Sequence, residues 1–588
     1  MKYELIQEKS LGESLLYRVF KNRGIEDPNQ WYNVGEEANI DPSTITHIQE
    51  ATRCLLLHIA AEDDAMLNVD ADCDGYTSSA LLYNWLARNF PDWTDRHLYW
   101  ALHDDKSHGI MTDKIKEGTK LVLVPDAGSE EYDKHKELKE KGIDTIIIDH
   151  HNADHYSEDA IVINNQLDEN YPTKSLSGAG MVYKFCDYLD MIKNGDKKFS
   201  HTKWIIPYSD ADDLLDIAML GIIADVMSMR DLETRAIIKQ GLKNIKNPII
   251  KALVERNSYS IGDTPDAMGI AWYVAPAINA ITRVGEAEEK EVLFQSFLET
   301  KAYTEIPSTK RGHKAGETET IVEQAVRLCN NVKNRQNKIR DSYLEDIRKQ
   351  IEVKNLLSNR VLVVQVTNAE AGLTGLIANK LMSEYQRPVL LLNKVIGENG
   401  DIIWSGSGRN NPLNGVESLQ QFCRDSGCII FAQGHDNAFG IAIADSELEN
   451  FIKWSNEQLV NVDFTPTYKV DVVYQSNNID ILDLRGVAES SESFGQDISE
   501  PLVVIEDINI TKEKLHLFKG STLKIDLGEK ISAVKFKSTE EEYNELLPSD
   551  MGSTKITIVG RCSLNDWDNS IQLIIEDYNI DNKVQWVF

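Results

Sequence analysis

Apolar residues in the first half of the chain come in short runs, and each run ends in a polar residue able to bind a metal or a phosphate. Ala65–Val69 reads as a buried strand that passes into Asp70-Ala71-Asp72-Cys73-Asp74-Gly75, three acids at every second position. Leu81, Leu82, Trp85 and Leu86 then recur at helical spacing. Residues 120–124 make a second apolar strand, closing on Pro125-Asp126-Ala127-Gly128-Ser129. The β-branched run 145–148 stops at Asp149-His150-His151-Asn152, and 161–163 stops at Asn164-Asn165. Helical segments separate these runs, so the alternation predicts a doubly wound parallel sheet. Residues 215–229 read as a buried helix that breaks at Asp225-Val226, while residues 1 to about 60 look helical.

A Pro-, Gly-, Ser- and Lys-containing loop at 307–316 precedes a long stretch with few breakers at 317–356. From Val361 a second α/β unit begins, with strands at 361–364 and 388–392 and a helix opened by Gly372, Gly375, Ala378 and Leu381. Two glycine-containing loops are expected at Ser405-Gly406-Ser407-Gly408-Arg409 and Gly434-His435-Asp436-Asn437-Ala438-Phe439-Gly440. Glycines beside Ser, Arg and His let backbone N–H groups and a guanidinium approach an anion. The last segment alternates short strands at regular spacing, the pattern of a small barrel.

Composition narrows the class. With 588 residues, 42% hydrophobic and 27% charged, the chain has room for three or four ordinary globular domains. No apolar run approaches the roughly 20 residues of a membrane span, and Met1-Lys2-Tyr3-Glu4-Leu5 lacks a signal-peptide core. Seven scattered cysteines without a CxxC pair argue against a disulfide framework or a zinc site and for a reducing, cytoplasmic setting. The net charge is −32, from 94 acids and 62 bases. Between positions 310 and 360 the balance inverts to twelve Lys/Arg against seven Asp/Glu. A basic strip on an acidic body focuses a polyanion along one path; a solvated helix face of mixed charge has the same composition.

Open α/β sheets bind ligands at the carboxyl ends of their strands. Asp72 and Asp74, Asp126, and Asp149-His150-His151 would gather there, and crowded anions need a compensating charge, most often a divalent cation. Carboxylates and imidazoles without thiolates suit Mn²⁺, Mg²⁺ or Fe²⁺. Asp225, at the end of an apolar helix, calls for a partner of its own.

These motifs, in this order, resemble those of the DHH phosphoesterase superfamily: Asp70-Ala71-Asp72-Cys73-Asp74-Gly75, Asp126, Asp149-His150-His151 and Asp225. Ser177-Gly178-Ala179-Gly180 and Ala275-Pro276-Ala277-Ile278-Asn279-Ala280-Ile281-Thr282-Arg283 resemble the RecJ-type single-strand DNA exonucleases within it. Asn334-Arg335-Gln336 is similar to their interdomain helix. Ser405–409 and 434–440 are similar to the motifs of the DHH-associated domain, with Asn410 where Ser is expected and Gln433 where Gly is expected. Phe494-Gly495, Glu500-Pro501, His516-Leu517, Lys524 and Ile558-Val559-Gly560-Arg561 resemble the RecJ-type OB domain.

The resemblance implies a DHH domain with an N-terminal helical segment at 1–310, a connecting helix at 311–358, a DHH-associated domain at 359–462 and an OB-like barrel at 463–588. It implies a metal-dependent exonuclease that hydrolyses single-stranded DNA 5′→3′ to mononucleotides, acting as a cytoplasmic monomer, or in a host cytoplasm if phage-encoded. Two divalent ions, Mn²⁺ or Mg²⁺, would activate water and clamp the phosphate. Asp126 would bridge them, Asp72 would bind one, and Asp74, His150 and Asp225 the other. Asp70 and Asp149 would orient ligands, His151 would bond the scissile phosphate, and Arg283 and Asn279 would contact the strand. Ser407, Arg409 and His435 would take the terminal phosphate. Asn68 stands where many superfamily members have histidine, which offers that metal position only a neutral, weak ligand. The acidic surface suits a protein partner. Two other readings share the motifs: a phosphodiesterase of short oligonucleotides or cyclic dinucleotides, which has no need of the OB-like tail, and a non-enzymatic replication scaffold, against which the retained ligand set speaks.

Overall fold

The computed structural model describes residues 1–7, 13–105, 107–193, 210–262, 264–367, 371–397, 400–528, 530–548, 552–565 and 567–582. It divides into two compact units. One comprises Arg23–Asn334 with Glu492–Ser499; the other comprises Met1–Asn22, Arg335–Ser491 and Glu500–Phe588.

The chain opens on strand β1 (Lys2–Leu5) and helix α1 (Leu15–Asn22). Neither belongs with the parallel-sheet unit that follows them, so the expectation of one domain over 1–310 and of helix from the first residues is corrected. β1 runs parallel to a strand at Thr467–Val470, with Lys2 opposite Thr467. The Leu15 N–H bonds Asp483 at 3.0 Å and Asn22 bonds Asp471 at 2.9 Å. The tie is made by backbone pairing across the length of the chain, and nothing local in residues 1–22 announces it.

The first unit is built on a five-stranded, fully parallel sheet. After α2 (Ile48–Ala61) come β2 (Ala65–Val69), α3 (Cys73–Asn89), β3 (Leu98–Leu102), β4 (Leu121–Pro125), β5 (Asp144–Asp149) and β6 (Ile161–Asn164), in the spatial order β3-β2-β4-β5-β6. Every residue of β2 and β4 is buried, which is why they read as near-continuous apolar runs, broken in β2 only by Asn68, rather than as alternating ones. The order reverses at β2, so the crevice between the ends of β2 and β4 is the switch point where such sheets take ligands. Three further helices close over that edge: α4 (Gly178–Lys193), α5 (Leu215–Ala224) and α6 (Ala275–Val284). A single π turn, Ile270–Val274, leads into α6.

α7 (Ile321–Val353) is one continuous helix of 33 residues. In the second unit, β7 (Leu362–Val366), α8 (Thr374–Tyr385), β8 (Val389–Ile396), β9 (Ile402–Arg409), β10 (Ile429–His435) and β11 (Ala438–Ala444) form a mixed sheet ordered β10-β11-β9-β8-β7. Of the glycine-containing stretches expected as loops, the first is therefore strand and the second is a hairpin turning at Asp436-Asn437. Gly406 and Gly408 sit where neighbouring chains leave no room: a β-carbon on Gly408 would run into the Phe439 ring at 2.5 Å.

After β12 (Thr467–Val470), a seven-stranded mixed sheet follows. Its strands are β13 (Val472–Gln475), β14 (Leu502–Thr511), β15 (Leu515–Phe518), β16 (Thr522–Gly528), β17 (Ile531–Phe536), β18 (Ser553–Leu564) and β19 (Ile571–Asn582), ordered β13-β14-β18-β19-β17-β16-β15. No described helix is long and apolar enough to cross a membrane.

Candidate metal centre and nucleic-acid surfaces

Asp72 is the N-cap of α3: its Oδ1 accepts the N–H groups of Asp74 at 2.9 Å and Gly75 at 3.0 Å. Asp74, two residues on in the first turn of α3, is buried against the start of α4. Its carboxylate accepts the Ser177 hydroxyl at 2.9 Å and the Gly178 and Ala179 N–H groups at 2.7 and 3.1 Å. A helix N-terminus is a natural seat for an anion. The approach is close enough to require glycine: a β-carbon on Gly178 would enter the Asp126 carboxyl, and one on Gly221 of α5 would enter that of Asp74.

Asp126 follows β4 with φ +65°, left-handed for a non-glycine residue. Its N–H is fixed by the Ile148 carbonyl at 2.8 Å. His150 follows β5, and its Nε2 lies 3.3 Å from Asp126 Oδ1, 3.5 Å from Asp225 Oδ2 and 3.8 Å from Asp74 Oδ2. Asp126 Oδ1 and His150 Nε2 are both buried and neither makes a hydrogen bond. Four elements thus aim three carboxylates and one imidazole at a common point, and two of the converging atoms lack a protein hydrogen-bond partner.

Electrostatics follow from that crowding. Burial, together with the charges of Asp74, Asp72, Asp70 and Asp225, pushes the Asp126 carboxyl well above its usual range. Burial and the charges of Asp74 and Asp72 raise Asp225 to about 8. Asp72 is raised by burial and by Asp70 and Asp74, while burial lowers His150. Mutually repelling acids around a neutral imidazole, with orphaned lone pairs, fit a divalent cation taking oxygen and nitrogen ligands.

Asp149 stands behind this cluster. It accepts the His150 and His151 N–H groups at 2.7 and 3.2 Å, the Ser129 N–H at 3.1 Å and His151 Nδ1 at 2.8 Å. Burial alone would raise the Asp149 carboxyl, but the His151 bond and nearby imidazoles hold it well below the usual range. The same bond lifts His151, whose side chain is 58% exposed, to about 9.

A second carboxylate–imidazole pair, not anticipated from sequence, lies beside it. Asp70 accepts His108 Nδ1 at 2.5 Å and the Gly109 N–H at 3.1 Å. Asp70, Asp72 and His108 offer ligand atoms within 4.8 Å of one another, as do Asp74, His150 and Asp225. Asn68 is no ligand: its Nδ2 donates to the Gly109 carbonyl at 3.1 Å and its Oδ1 accepts the Met111 N–H at 2.9 Å. The only hint in the sequence was a pair of histidines, His103 and His108, in the connection after β3.

On α6, Asn279 Oδ1 accepts the Cys73 N–H at 3.0 Å, which attaches α6 to the acidic turn. Arg283, one turn further, is exposed, and its charge acts on the buried Cys73 thiol, which burial raises far above its normal range.

In the second unit, Arg409, Ala438 and His435 stand directly opposite one another across β9, β11 and β10, so Arg409 and His435 share a face. Ser407 lies on the same face two residues away and shares a hydrogen bond of 2.9 Å with Thr374 of α8. A β-carbon on Gly375 would touch Arg409 Nη2 at 2.5 Å. Gln433 sits in regular register opposite Gly440. Asn410 is buried, bonded to the Val416 carbonyl, Asn437 and Asn414 at 2.7–2.9 Å. Both departures from the expected motifs therefore leave the strands regular.

Two surfaces bear on a polyanion. Part of the basic strip on α7 is already neutralised: Arg327 pairs with Glu319 at 2.6 Å, Arg340 with Asp341 at 2.8 Å and Arg348 with Glu384 at 2.7 Å. On the C-terminal sheet, Phe518, Thr522 and Phe536 form one cross-strand row over β15, β16 and β17, with both rings exposed and Lys524 on the same face. Seven lysines fall between positions 512 and 537, two of them, Lys524 and Lys535, on these strands and the others in the connections beside them.

A sheet that ends in these carboxylates and imidazoles defines a DHH-type phosphoesterase centre. Residues 65–222 match the DHH family, N-terminal domain, and residues 464–577 match the RecJ OB domain. The chain is 35% identical to YorK of Bacillus subtilis strain 168, assigned as an SPbeta prophage-derived single-strand DNA-specific exonuclease, over 99% of this chain and 98% of YorK. It is 26% identical to the single-stranded-DNA-specific exonuclease RecJ of the same organism, over 91% of this chain and 64% of that protein. The crystal structure of Thermus thermophilus RecJ in complex with Mn²⁺ shares the fold, with a TM-score of 0.67 at 19% identity over 97% of this chain and 76% of that one. The Mg²⁺ complex of the same protein gives 0.64 at 18% identity, over 97% and 75%. The chain belongs to the RecJ-type family of single-strand DNA-specific exonucleases.

Proposed function

We propose that the protein is a metal-dependent exonuclease that degrades single-stranded DNA from its 5′ end to mononucleotides. The observation that carries this reading is the convergence of Asp74, Asp126 and Asp225 on His150 Nε2, with the Asp126 and His150 atoms buried and unbonded. Asp74, His150 and Asp225 would hold one divalent ion, Asp72 another, and Asp126 would be shared between them. Two such ions, Mn²⁺ or Mg²⁺, supply Lewis acidity to a phosphodiester and make water a nucleophile near neutral pH.

The chain's own groups do the rest. Asp149 holds the His151 ring with its outer nitrogen toward solvent, where it can donate to a phosphate oxygen in the charged form that Asp149 favours. Asn279 keeps the acidic turn in place, and Arg283 offers a guanidinium to the strand's backbone. The face bearing Ser407, Arg409 and His435 gathers a hydroxyl, a guanidinium and an imidazole, the chemistry of a terminal-phosphate pocket. Phe518 and Phe536 are suited to stacking unpaired bases, with Lys524 beside them for a phosphate.

Digestion of long single strands, labelled at the 5′ or the 3′ end and with or without Mn²⁺, tests this reading against duplexes and dinucleotides. The expected result is metal-dependent release of labelled mononucleotide from the 5′ end of long single strands. Cleavage of dinucleotides or cyclic dinucleotides alone, or release from the 3′ end, overturns it.

A further inference from the structure

Resting on that two-metal reading, we propose that His108 is the imidazole ligand of the ion held by Asp72, and that Asp70 is the positioning residue that aims it. Without His108, one ion would have an imidazole, His150, and the other would have only carboxylates. The connection between β3 and β4 removes that asymmetry.

The argument rests on how tightly an exposed histidine is held. The His108 side chain is 60% exposed, yet the backbone around it is clamped from several directions. Asp70, itself 1% exposed, receives His108 Nδ1 on one oxygen and the next residue's N–H on the other. His103 Nε2 lies 3.7 Å from the same carboxylate and 3.1 Å from the Gly109 carbonyl. From the far side the Asn68 amide grips Gly109 and Met111. Gly75 allows the packing, because a β-carbon there would meet Asp70 at 2.6 Å. A solvated surface histidine needs none of this.

The tautomer follows from the partner. A carboxylate accepts, so Nδ1 carries the proton, and in the neutral ring the lone pair is on Nε2, the outward nitrogen. A buried carboxylate bonded to Nδ1 with Nε2 free is the arrangement by which proteins orient a histidine toward a metal. Asp72 uses only Oδ1 for its helix cap, so its second oxygen remains for the same ion. Asp126, whose Oδ1 is buried and unbonded, supplies an independent sign that the centre is built for a ligand. Asn68 and His108 are thus linked: the amide that offers nothing to a metal fixes the loop that carries the imidazole.

Calorimetric titration with Mn²⁺, joined to pulsed EPR of the bound ion, tests the assignment on the full chain. The wild type is expected to bind two Mn²⁺ and to show nitrogen coupling from two imidazoles. His108→Ala is expected to bind one, with one nitrogen coupling lost and the metal-free protein still melting cooperatively. Asp70→Asn is expected to bind two, the weaker by about 10–100-fold. His108→Asp, which returns a ligand, is expected to restore the second binding event without the nitrogen signal. If His108→Ala binds two ions at unchanged affinity, His108 only pairs with Asp70 and the inference falls while the two-metal reading stands. If the wild type binds no Mn²⁺, the two-metal reading itself falls.

Discussion

Gly221 and Asp74 occupy the same space: a β-carbon on Gly221 would lie inside the Asp74 carboxyl, and also 2.5 Å from the Ala179 β-carbon. Helix α5 can therefore pass the acidic centre only because it carries glycine there. Gly221→Ala should displace Asp74 from the start of α4, lower Mn²⁺ affinity by at least about tenfold and cost roughly 1–3 kcal/mol of stability as overpacking. Metal titration and thermal melting of the one variant read both effects.

Removing a converging carboxylate has the opposite structural cost. Asp225 is raised by burial and by the charges of Asp74 and Asp72, so Asp225→Ala relieves both in the metal-free protein. The variant should melt no lower than wild type in chelator yet lose turnover. Mn²⁺ should protect it less than it protects the wild type, because stabilisation by a ligand follows its affinity. Melting with and without metal, beside a nuclease assay, checks this.

The aromatic row on the C-terminal sheet makes a separable prediction. Replacing Phe518 or Phe536 by Ala should weaken binding to long single strands by about 1–3 kcal/mol each, with little change in the salt dependence of binding. Lys524→Glu should instead flatten the slope of log affinity against log salt by about 0.7 or more. Fluorescence anisotropy over a range of salt separates stacking from phosphate contact.

In the proposed end pocket, Arg409 would hold the terminal phosphate. Its removal should cost a charge-assisted contact of about 1.5–3 kcal/mol and abolish the preference for 5′-phosphorylated over 5′-hydroxyl strands. Mn²⁺ binding should be unchanged. Competition between the two substrates measures it, and an unchanged preference removes Ser407, Arg409 and His435 from the end pocket.

Stability against pH should carry the mark of Asp216, far along α5 from the acidic centre. Its carboxylate accepts the Lys246 and Asn247 N–H groups at 2.7 and 2.6 Å, yet burial raises it to about 6. A raised carboxyl pKa means that the folded state holds its proton more tightly than the unfolded one. The contribution is then greatest below pH 4 and is lost as pH climbs to 6. Asp216→Asn, which keeps the acceptor, should gain on wild type across that window by up to about 3 kcal/mol, as read from urea melts at successive pH values.

Much of the first unit was legible because its sheet is buried on both faces. β2, β4, β5 and β6 are largely apolar runs with polar ends, and the ends of β2, β4 and β5 form the acidic centre. β3 escaped because Tyr99 and Trp100 are only partly buried, which blurs the run. His108 escaped for a different reason: its role depends on Asp70 and Asn68 clamping a loop from two other places in the chain, and no local spacing encodes that. The glycine-containing stretches of the second unit were misread as loops, because glycine that admits a neighbouring strand looks the same in sequence as glycine that turns the chain. Residues 1–22 were placed with the wrong unit, since their partners are more than 400 residues away.

That last distance has a consequence for how the polypeptide matures on the ribosome. Residues 23–334 supply the entire parallel sheet and its covering helices, and they emerge as one uninterrupted segment; only Glu492–Ser499 joins that unit later. β1 emerges before all of it and then has no partner until Thr467–Val470 is made. For most of translation the nascent chain therefore carries a bare strand edge, the kind of surface that invites pairing with another chain. Lys2 and Glu4, alternating with Tyr3 and Leu5 on this four-residue strand, keep that edge short and charged while it waits.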